Sequence, residues 1–587
     1  MRTNPVITAR SSRRRSVVAI LTILAVVGVF AVKLVDIQIV QAAELDKQST
    51  AARAVPSAVF GTRGDILDTN GVTLAGTVMR YDVAVSPYDA SQDDPAAYAK
   101  DVVKIGTATG LGGPAVQKII SDALAENPKS LYASIIKSVD VTTLIALEKL
   151  NIQWLYYQRH DARTYPDGAV AGNIVGFVGS DGQAQAGVEL GWNNCLAGQN
   201  GEETYQRGAD GTPIPGSTST IKPAKDGGTI RLTLDADLQY FAQQKLTEAV
   251  RSLGATYGAV TIEEVKTGKL RTVAEYPSVD PNNVSATAPE SRGSHAFTSP
   301  FEPGSTFKAV TASSLIDAGL ADPLTQVISP YRFRSGNGAD LTDDSYHEDE
   351  RLTLTGVLVR SSNTAISKLG TRMSDADRYA YMQKFGLGEK TAVGFPGESA
   401  GILNPYQKWD DQTKYATTFG QGLSITSIQL ASIYQTLGNG GVRVPVQLVE
   451  GCTQKDGTVT QQPKPKETRV VSAKAAQETV NMLEAVVTKG ENAKAEAIPG
   501  YRIAAKTGTA QQADGNGGYK SSYFVSVTGV APAEDPQYVV SVNIANPITI
   551  RESPAAIPLF KTIMLQVLKK YRIKPATTQP PDYPPYY

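Results

Sequence analysis

The sequence predicts a mixed α/β (α+β) protein held by a single N-terminal transmembrane helix. Three observations carry this reading. The chain has 587 residues, too many for one ordinary domain. An uncharged, mostly apolar run from Val17 to Val32 follows Arg10, Arg13, Arg14 and Arg15. The second half of the chain reads as strands, then helices, then strands closing with a helix. That order fits an α/β or α+β domain whose sheet draws on both ends of the segment.

The apolar run, with the few residues beyond Lys33, comes close to the roughly 20 needed to cross a bilayer. Lys33 stands where its long stem can snorkel to the outer interface. The arginines keep the N-terminus in the cytoplasm, so everything after Val40 lies outside. A cleaved signal peptide is the competing reading, because Val40-Gln41-Ala42 has the small-residue look of a cleavage site. Asp36 and Gln38 separate that site from the run, and the run is long for a signal peptide, so the uncleaved anchor is preferred. The expected segments are a basic cytoplasmic tail (1–15), the anchor (16–40), a non-catalytic region (41–225), a second domain (226–572) and a Pro/Tyr-rich disordered tail (573–587).

Composition narrows the function. Hydrophobic residues make up 41% and charged residues 19%, as in folded domains with cores. Lys+Arg and Asp+Glu are 57 each, so the basic excess of a nucleic-acid binder is missing. Met1–Arg15 holds five arginines and no acid, so a stub of +5 precedes a body of −5. Three histidines and two cysteines are too few for a disulfide framework or a Cys-rich zinc module. Cys195 and Cys452 fall in different expected domains, and a disulfide between them is not expected, although an extracytoplasmic bond could persist.

In the region before Asp226, Gly61–Asp65 and Asp68–Gly71 are turns around Ile66-Leu67, and Val141–Leu150 is helical. Gly208, Gly211, Pro213, Pro215 and Gly216 mark a linker. Beyond it, Ile230–Leu234 is a strand, Asp235 a cap, and Leu238–Val250 an amphipathic helix. Ala259–Val265 and Leu270–Tyr276 form a hairpin around Lys266-Thr267-Gly268-Lys269. Strands return near Tyr501–Ala505, Tyr523–Val530 and Tyr538–Ile544, and a last helix spans about Pro558–Tyr571.

Three short motifs carry the chemistry. Ser305-Thr306-Phe307-Lys308 follows Glu302-Pro303-Gly304 at a helix start. Residues three apart share a helix face, and a desolvated neutral lysine can activate a serine. Ser134–Lys137, read as a surface helix face, and Ser219–Lys222, read as linker, show the same spacing. Ser361-Ser362-Asn363 sits between two helical stretches, whereas Ser335-Gly336-Asn337 is a Gly-rich loop and Ser541-Val542-Asn543 a strand face. Lys506-Thr507-Gly508-Thr509 continues an apolar strand, whereas Lys266-Thr267-Gly268 is a hairpin turn. The run His347-Glu348-Asp349-Glu350 reads as a solvated loop rather than a cation site.

Ser-x-x-Lys, Ser-x-Asn and Lys-Thr-Gly in this order are carried by penicillin-binding proteins and serine β-lactamases. The chain resembles a class B, monofunctional penicillin-binding protein over nearly its whole length. Arg63–Ala75, Arg163-Thr164-Tyr165-Pro166, Gly172–Gly179, Gly187-Val188-Glu189-Leu190 and Gly420-Gln421-Gly422-Leu423 resemble further blocks of that family. The blocks after Lys506 are closest to the FtsI-type cell-division group. Two positions depart: Ala505 stands where the family has glycine, and Ser526-Val527-Thr528-Gly529 is looser than the usual block.

The resemblance implies an elongated α+β pedestal of the dimerisation type, followed by a transpeptidase domain with a five-stranded antiparallel sheet flanked by helices. It implies Ser305 as nucleophile, Lys308 as base, Ser361 as proton relay, and Lys506 as the second cation. Asn363, Thr507, Gly508 and Thr509 would bind substrate, with the N–H groups of Ser305 and Thr509 as oxyanion hole. No cofactor or metal is implied. The implied partners are peptidoglycan stem peptides (a D-Ala-D-Ala donor and an amine acceptor), β-lactams as covalent inhibitors, a membrane glycosyltransferase and other division proteins. A class A β-lactamase would need neither anchor nor pedestal. A bifunctional polymerase would show a Glu-Asp block, which residues 42–225 lack. An elongation-type enzyme or a D,D-carboxypeptidase would carry the same motifs, and a dead β-lactam sensor or scaffold would lose some of their reactive groups.

Overall fold

The computed structural model describes residues 9–207, 214–513 and 518–587. Residues 1–8 of the basic tail and Gly208, Gly211 and Pro213 of the expected linker lie outside the described residues. The chain divides into two compact units, Met1–Thr62 with Gly198–Asp226, and Arg63–Ala197 with Gly227–Tyr587.

In the first unit, the helix Ala9–Val35 passes into one π turn, Asp36–Val40, and then into the helix Ala42–Arg53. Arg13–Val40 is long and apolar enough to cross a membrane. Lys33 Nζ donates to Asp36 Oδ2 at 2.8 Å, so the charge near the end of the span is paired locally. A three-stranded antiparallel sheet follows, with Gly201–Gln206 between Ala54–Val59 and Ser219–Lys222. The Ser219–Lys222 spacing match is thus an exposed edge strand rather than linker.

The second unit begins with a strand-rich region. The long strand Thr73–Val85 pairs antiparallel with both Ala133–Val139 and Leu155–Thr164. Ser134–Lys137 therefore lies in a strand, not on a helix face. The helices Pro95–Thr109 and Gly113–Glu126 bury Val102, Ile105, Val116 and Ile120 against this sheet. Asp140 caps the helix Val141–Glu148, within the stretch expected to be helical. The family blocks converge on one buried carboxylate. Glu189 accepts from Arg63 Nε at one oxygen and from Arg163 Nε at the other, each at 2.6 Å, and from Tyr165 OH at 3.3 Å.

The strand Thr229–Leu232 ties this region to the rest, pairing with Ile66–Leu67 on one side and with Val449–Thr453 on the other. That arrangement overturns the expectation of unpaired cysteines. Cys195 and Cys452, 257 residues apart, form a disulfide. Gly228 explains how: a Cβ there would stand 2.8 Å from Cys452 Sγ and 3.0 Å from Cys195 Sγ, so only glycine leaves room for the bridge.

The remaining chain builds a five-stranded antiparallel sheet from β1 (Tyr257–Glu264), β2 (Leu270–Tyr276), β3 (Ala504–Ala513), β4 (Tyr519–Ala531) and β5 (Tyr538–Ala545), in the order β2-β1-β5-β4-β3. Its first and last strands in sequence meet in the middle, where Val260 faces Val542. Helix α1 (Ala236–Leu253) starts at the cap Asp235, whose carboxylate accepts from Leu238 N, and ends at Gly254 in the left-handed conformation. Its Leu238, Ala242 and Leu246 cover Val260, Ile262, Val525 and Val527 together with Phe560 and Ile563 of the last helix, Ile557–Lys570. The other face of the sheet belongs to a larger helical layer. It holds α2 (Lys308–Asp317), α3 (Leu354–Arg360), α4 (Asn363–Gly370), α5 (Ser427–Gly438) and α6 (Ala473–Lys489). Helices α2 and α5 are almost wholly buried, as expected for helices without a solvent face.

The Pro/Tyr-rich end is not the disordered tail expected from composition. Thr353 N and Oγ1 donate to the carbonyls of Pro585 and Pro584 at 3.0 and 2.7 Å, and Tyr587 N donates to Arg351 O at 3.2 Å. Tyr583 packs against the helical core. Proline and tyrosine here supply stiffness and apolar surface to a docked segment, which composition alone does not distinguish from a free tail.

Candidate active site

The first motif sits on a turn clamped by backbone. Gly304–Phe307 forms a 3-10 turn that runs directly into α2. Gly304 has φ +56°, and a Cβ on it would stand 2.8 Å from Thr509 O of β3. From the opposite side, a Cβ on Gly420 would stand 2.4 Å from Gly304 O. Glycines at these two points let three backbone segments meet around Ser305. Tyr434 of α5 donates to Thr306 O at 3.0 Å and supports the turn from below. In a 3-10 turn residues three apart eclipse, and Lys308 Nζ lies 2.9 Å from Ser305 Oγ.

The second motif is the junction of two helices. Thr353 caps α3, which ends at Ser361 with φ +58° and ψ +30°. A non-glycine residue in that region costs on the order of 1–2 kcal/mol. The fixed geometry aims the Ser361 carbonyl at Lys308, whose Nζ donates to it at 2.5 Å. Ser362 then caps α4 by accepting from Ala365 N, and Asn363 opens that helix. Lys308 Nζ is 2.7 Å from Asn363 Oδ1 and 3.3 Å from Ser361 Oγ. Ser305, Lys308, Ser361 and Asn363 thus form one hydrogen-bonded cluster around a single nitrogen, whose four contacts among the described residues are neutral oxygens.

The third motif lies on β3, the edge strand, whose outer backbone groups face away from the sheet. The strand starts at Ala504 and carries the whole Lys-Thr-Gly-Thr run, further along the chain than the expected Tyr501–Ala505. Lys506 is only 2% exposed. Thr507 and Thr509 share the opposite strand face and are half-buried. Thr509 Oγ1 accepts from Ser553 N at 3.0 Å, which leaves its hydroxyl proton for a ligand. Gly508 has no room for a Cβ, which would meet Pro303 O at 2.9 Å. Ala505 belongs to the α1 side of the sheet, and its methyl occupies the space above Gly529 on β4. The Ala505 departure therefore meets Gly529 in the core, on the face away from Lys506, whereas Ser526 and Thr528 of the second departure stand opposite Gly508 and Lys506 on β3.

Burial dominates the electrostatics. It pushes the Lys308 ammonium well below its ordinary range, and the charge of Lys506 pushes the same way, against Asp343 and Asp344. Burial lowers Lys506 to about 8, opposed by Glu496. Burial raises Glu496 to about 7, with Lys506 opposing. Both causes favour loss of the Lys308 proton, the direction in which a lysine can accept one from a neighbouring hydroxyl.

The other spacing matches take structural positions. Ser335 and Asn337 lie in the turn of the hairpin Arg332–Arg334/Asp340–Thr342, where Ala339 N donates to Ser335 Oγ at 2.9 Å. Ser541 and Asn543 face a buried polar row with Thr528. Lys266–Gly268 is the turn between β1 and β2. Sequence reasoning missed Asp343, Glu496 and His347. His347, read as part of a solvated loop, has its side chain only 14% exposed and stands 3.0 Å from Asp343 Oδ2. Asp343 was not marked because the α4 backbone groups it binds lie 20 residues further on, and the nearby His347 signals nothing until that contact forms.

Residues 258–565 match the penicillin binding protein transpeptidase domain, and residues 58–232 the penicillin-binding protein dimerisation domain. The chain is similar to penicillin-binding protein PbpB of Mycolicibacterium smegmatis, 34% identical over 94% of this chain and 90% of that one. It is 32% identical to the peptidoglycan D,D-transpeptidase FtsI of Escherichia coli over 88% of this chain and 85% of that one. A crystal structure of penicillin binding protein 3 from Mycobacterium tuberculosis, complexed with ampicillin, superposes with a TM-score of 0.71 at 29% identity, covering 90% of this chain and all of that one. The ordered motifs, the cluster they build and these likenesses together place the chain in the class B penicillin-binding proteins.

Proposed function

We propose that this chain is a membrane-anchored serine D,D-transpeptidase that cross-links peptidoglycan stem peptides during septal wall synthesis. One observation carries the reading. A fully buried lysine nitrogen, its hold on a proton weakened by burial and by Lys506, lies 2.9 Å from the hydroxyl of Ser305 and touches Ser361 and Asn363.

Ser305 Oγ attacks the carbonyl carbon of the penultimate D-alanine while its proton passes to Lys308 Nζ. The oxyanion that forms is held by the N–H groups of Ser305 and Thr509. Collapse breaks the peptide bond, and Ser361 relays the proton from Lys308 to the departing D-alanine nitrogen. Thr507 and Thr509 hydroxyls, with the charge of Lys506, hold the terminal carboxylate, and Asn363 holds a substrate amide. Gly508 lets the substrate backbone lie against β3 as an added strand. An acceptor amine then attacks the Ser305 ester, forms the new amide and returns the proton to Ser305 through Lys308. A β-lactam acylates the same oxygen, and its tethered leaving group keeps the ester from being resolved.

The arginine-rich stub stays cytoplasmic, the catalytic domain works outside, and residues 41–225 serve as a pedestal that docks a membrane glycosyltransferase and other division proteins. The names of the relatives support the septal assignment. Incubation with a labelled penicillin, followed by mapping of the adduct, tests the chemistry. Label on Ser305, lost in Ser305→Ala, is the expected result; absence of label, or equal labelling of the variant, contradicts it. For the cellular role, a fluorescent fusion should concentrate at the septum, and uniform side-wall signal counts against it.

A further inference from the structure

Behind the Ser-x-Asn motif lies a carboxylate that the transpeptidase reaction does not itself use. Asp343 follows the short strand Asp340–Thr342 and is 8% exposed. Its Oδ1 accepts from Asn363 N at 2.6 Å and from Thr364 N at 2.9 Å, two first-turn groups of α4 that have no partner within the helix. Its Oδ2 accepts from the hydroxyls of Ser362 at 2.8 Å, Ser329 at 3.3 Å and Thr364 at 3.4 Å. From the back, His347 Nε2 stands 3.0 Å from the same oxygen, while its Nδ1 lies 2.8 Å from Glu348 O. The backbone next to it is committed as well, since Asn363 Nδ2 donates to Thr342 O at 3.2 Å.

The geometry points to Asp343 as a positioning residue for acylation: by holding the first turn of α4, it fixes Ser361 and Asn363 against Lys308. It rests on the transpeptidase reading. The constraint is directional. Ser361 is in the left-handed conformation and Asn363 begins a helix, so the two ends of the motif keep their aim only while the α4 N-terminus stays in place. Oxygens around Lys308 Nζ lie at 2.5 to 3.3 Å, a range that a small shift of α4 would break. Asp343 also acts through space. Among the described residues, the charged groups facing Lys308 are Lys506 from β3 and Asp343 and Asp344 from the segment after Asp340–Thr342. Those facing Asp343 are Lys308 and His347, with Glu350 beyond the histidine.

The test is the second-order rate of labelling by a penicillin across pH, on the full chain, for wild type and Asp343→Asn. Asparagine keeps the shape and removes the charge. The expected result is a labelling rate about 10- to 100-fold lower, as for a small misplacement of a catalytic group, with the adduct still on Ser305. The acid limb should move to lower pH, because an anion that favours charged Lys308 is gone; a purely structural role would leave the limb in place. An unchanged rate and limb in folded Asp343→Asn would overturn the inference while leaving the transpeptidase reading intact. Wild type that does not label would instead overturn that reading. Should Asp343→Asn not fold, Ser329→Ala decides: a rate several-fold lower supports the clamp, and a wild-type rate rejects it.

Discussion

Two buried polar clusters within the same unit handle charge in opposite ways. At Glu189, both carboxylate oxygens are taken by arginines at 2.6 Å, and a tyrosine adds a third bond. At Lys308, a nitrogen just as deeply buried meets, among the described residues, only neutral oxygens, with a second buried lysine nearby. A paired buried charge keeps its ionisation state and locks geometry. An unpaired buried cation is driven toward neutrality and becomes a base. The first cluster therefore serves the scaffold, and the second holds reactivity at a cost in stability.

The contrast gives variants whose effects separate rate from stability. Replacing the base, Lys308→Met, should lower the penicillin labelling rate by about 10²- to 10⁴-fold, the usual worth of a general base, while the melting temperature holds or rises. A variant that melts earlier by several degrees would break the contrast. Glu189→Gln should do the reverse. Two buried arginines lose their counter-charge, with an expected loss of about 3–5 kcal/mol in denaturant unfolding, and the folded fraction should label at the wild-type rate. Removing the bridge with Cys195→Ser should cost about 2–5 kcal/mol by the same assay, again without slowing acylation. Gly356→Ala should cost about 1–3 kcal/mol, because a Cβ there would stand 1.8 Å from Pro585 O of the docked C-terminal segment. If deletion of 575–587 leaves stability unchanged, that docking carries no weight.

Charge also sets the pH response. Burial lowers Lys506 to about 8 in the folded protein, below the ordinary lysine value of 10.5. Between these two values the unfolded chain binds more protons, so stability should rise with pH across that window and level off above it. Lys506→Met should flatten the rise. Over the same range, hold on substrates with a carboxylate should weaken as Lys506 loses its charge, seen as a growing KM rather than a falling kcat.

Much of this was legible in the sequence because it is local. Asp235 before an amphipathic run marked a helix start, and Lys266-Thr267-Gly268 between two apolar runs marked a hairpin. Ser305 and Lys308 share one turn, so their spacing announced their contact. The parts that stayed hidden depend on long-range closure. Asp343 acquires its role only when a hairpin folds back onto α4. Cys195 finds Cys452 because the strand Thr229–Leu232 brings both ends beside Gly228. Pro584 and Pro585 look like residues of a free tail until Thr353 binds them. Composition cannot report a partner that lies hundreds of residues away.

The proposed chemistry depends on the lowered proton affinity of Lys308, and the pH profile of Ser305 acylation by a penicillin reads it. The rate should climb with pH to a midpoint well below the ordinary lysine value of 10.5, and the limb should vanish in Lys308→Met. A midpoint near 10.5, or the same limb persisting in that variant, would contradict the assignment of Lys308 as the base.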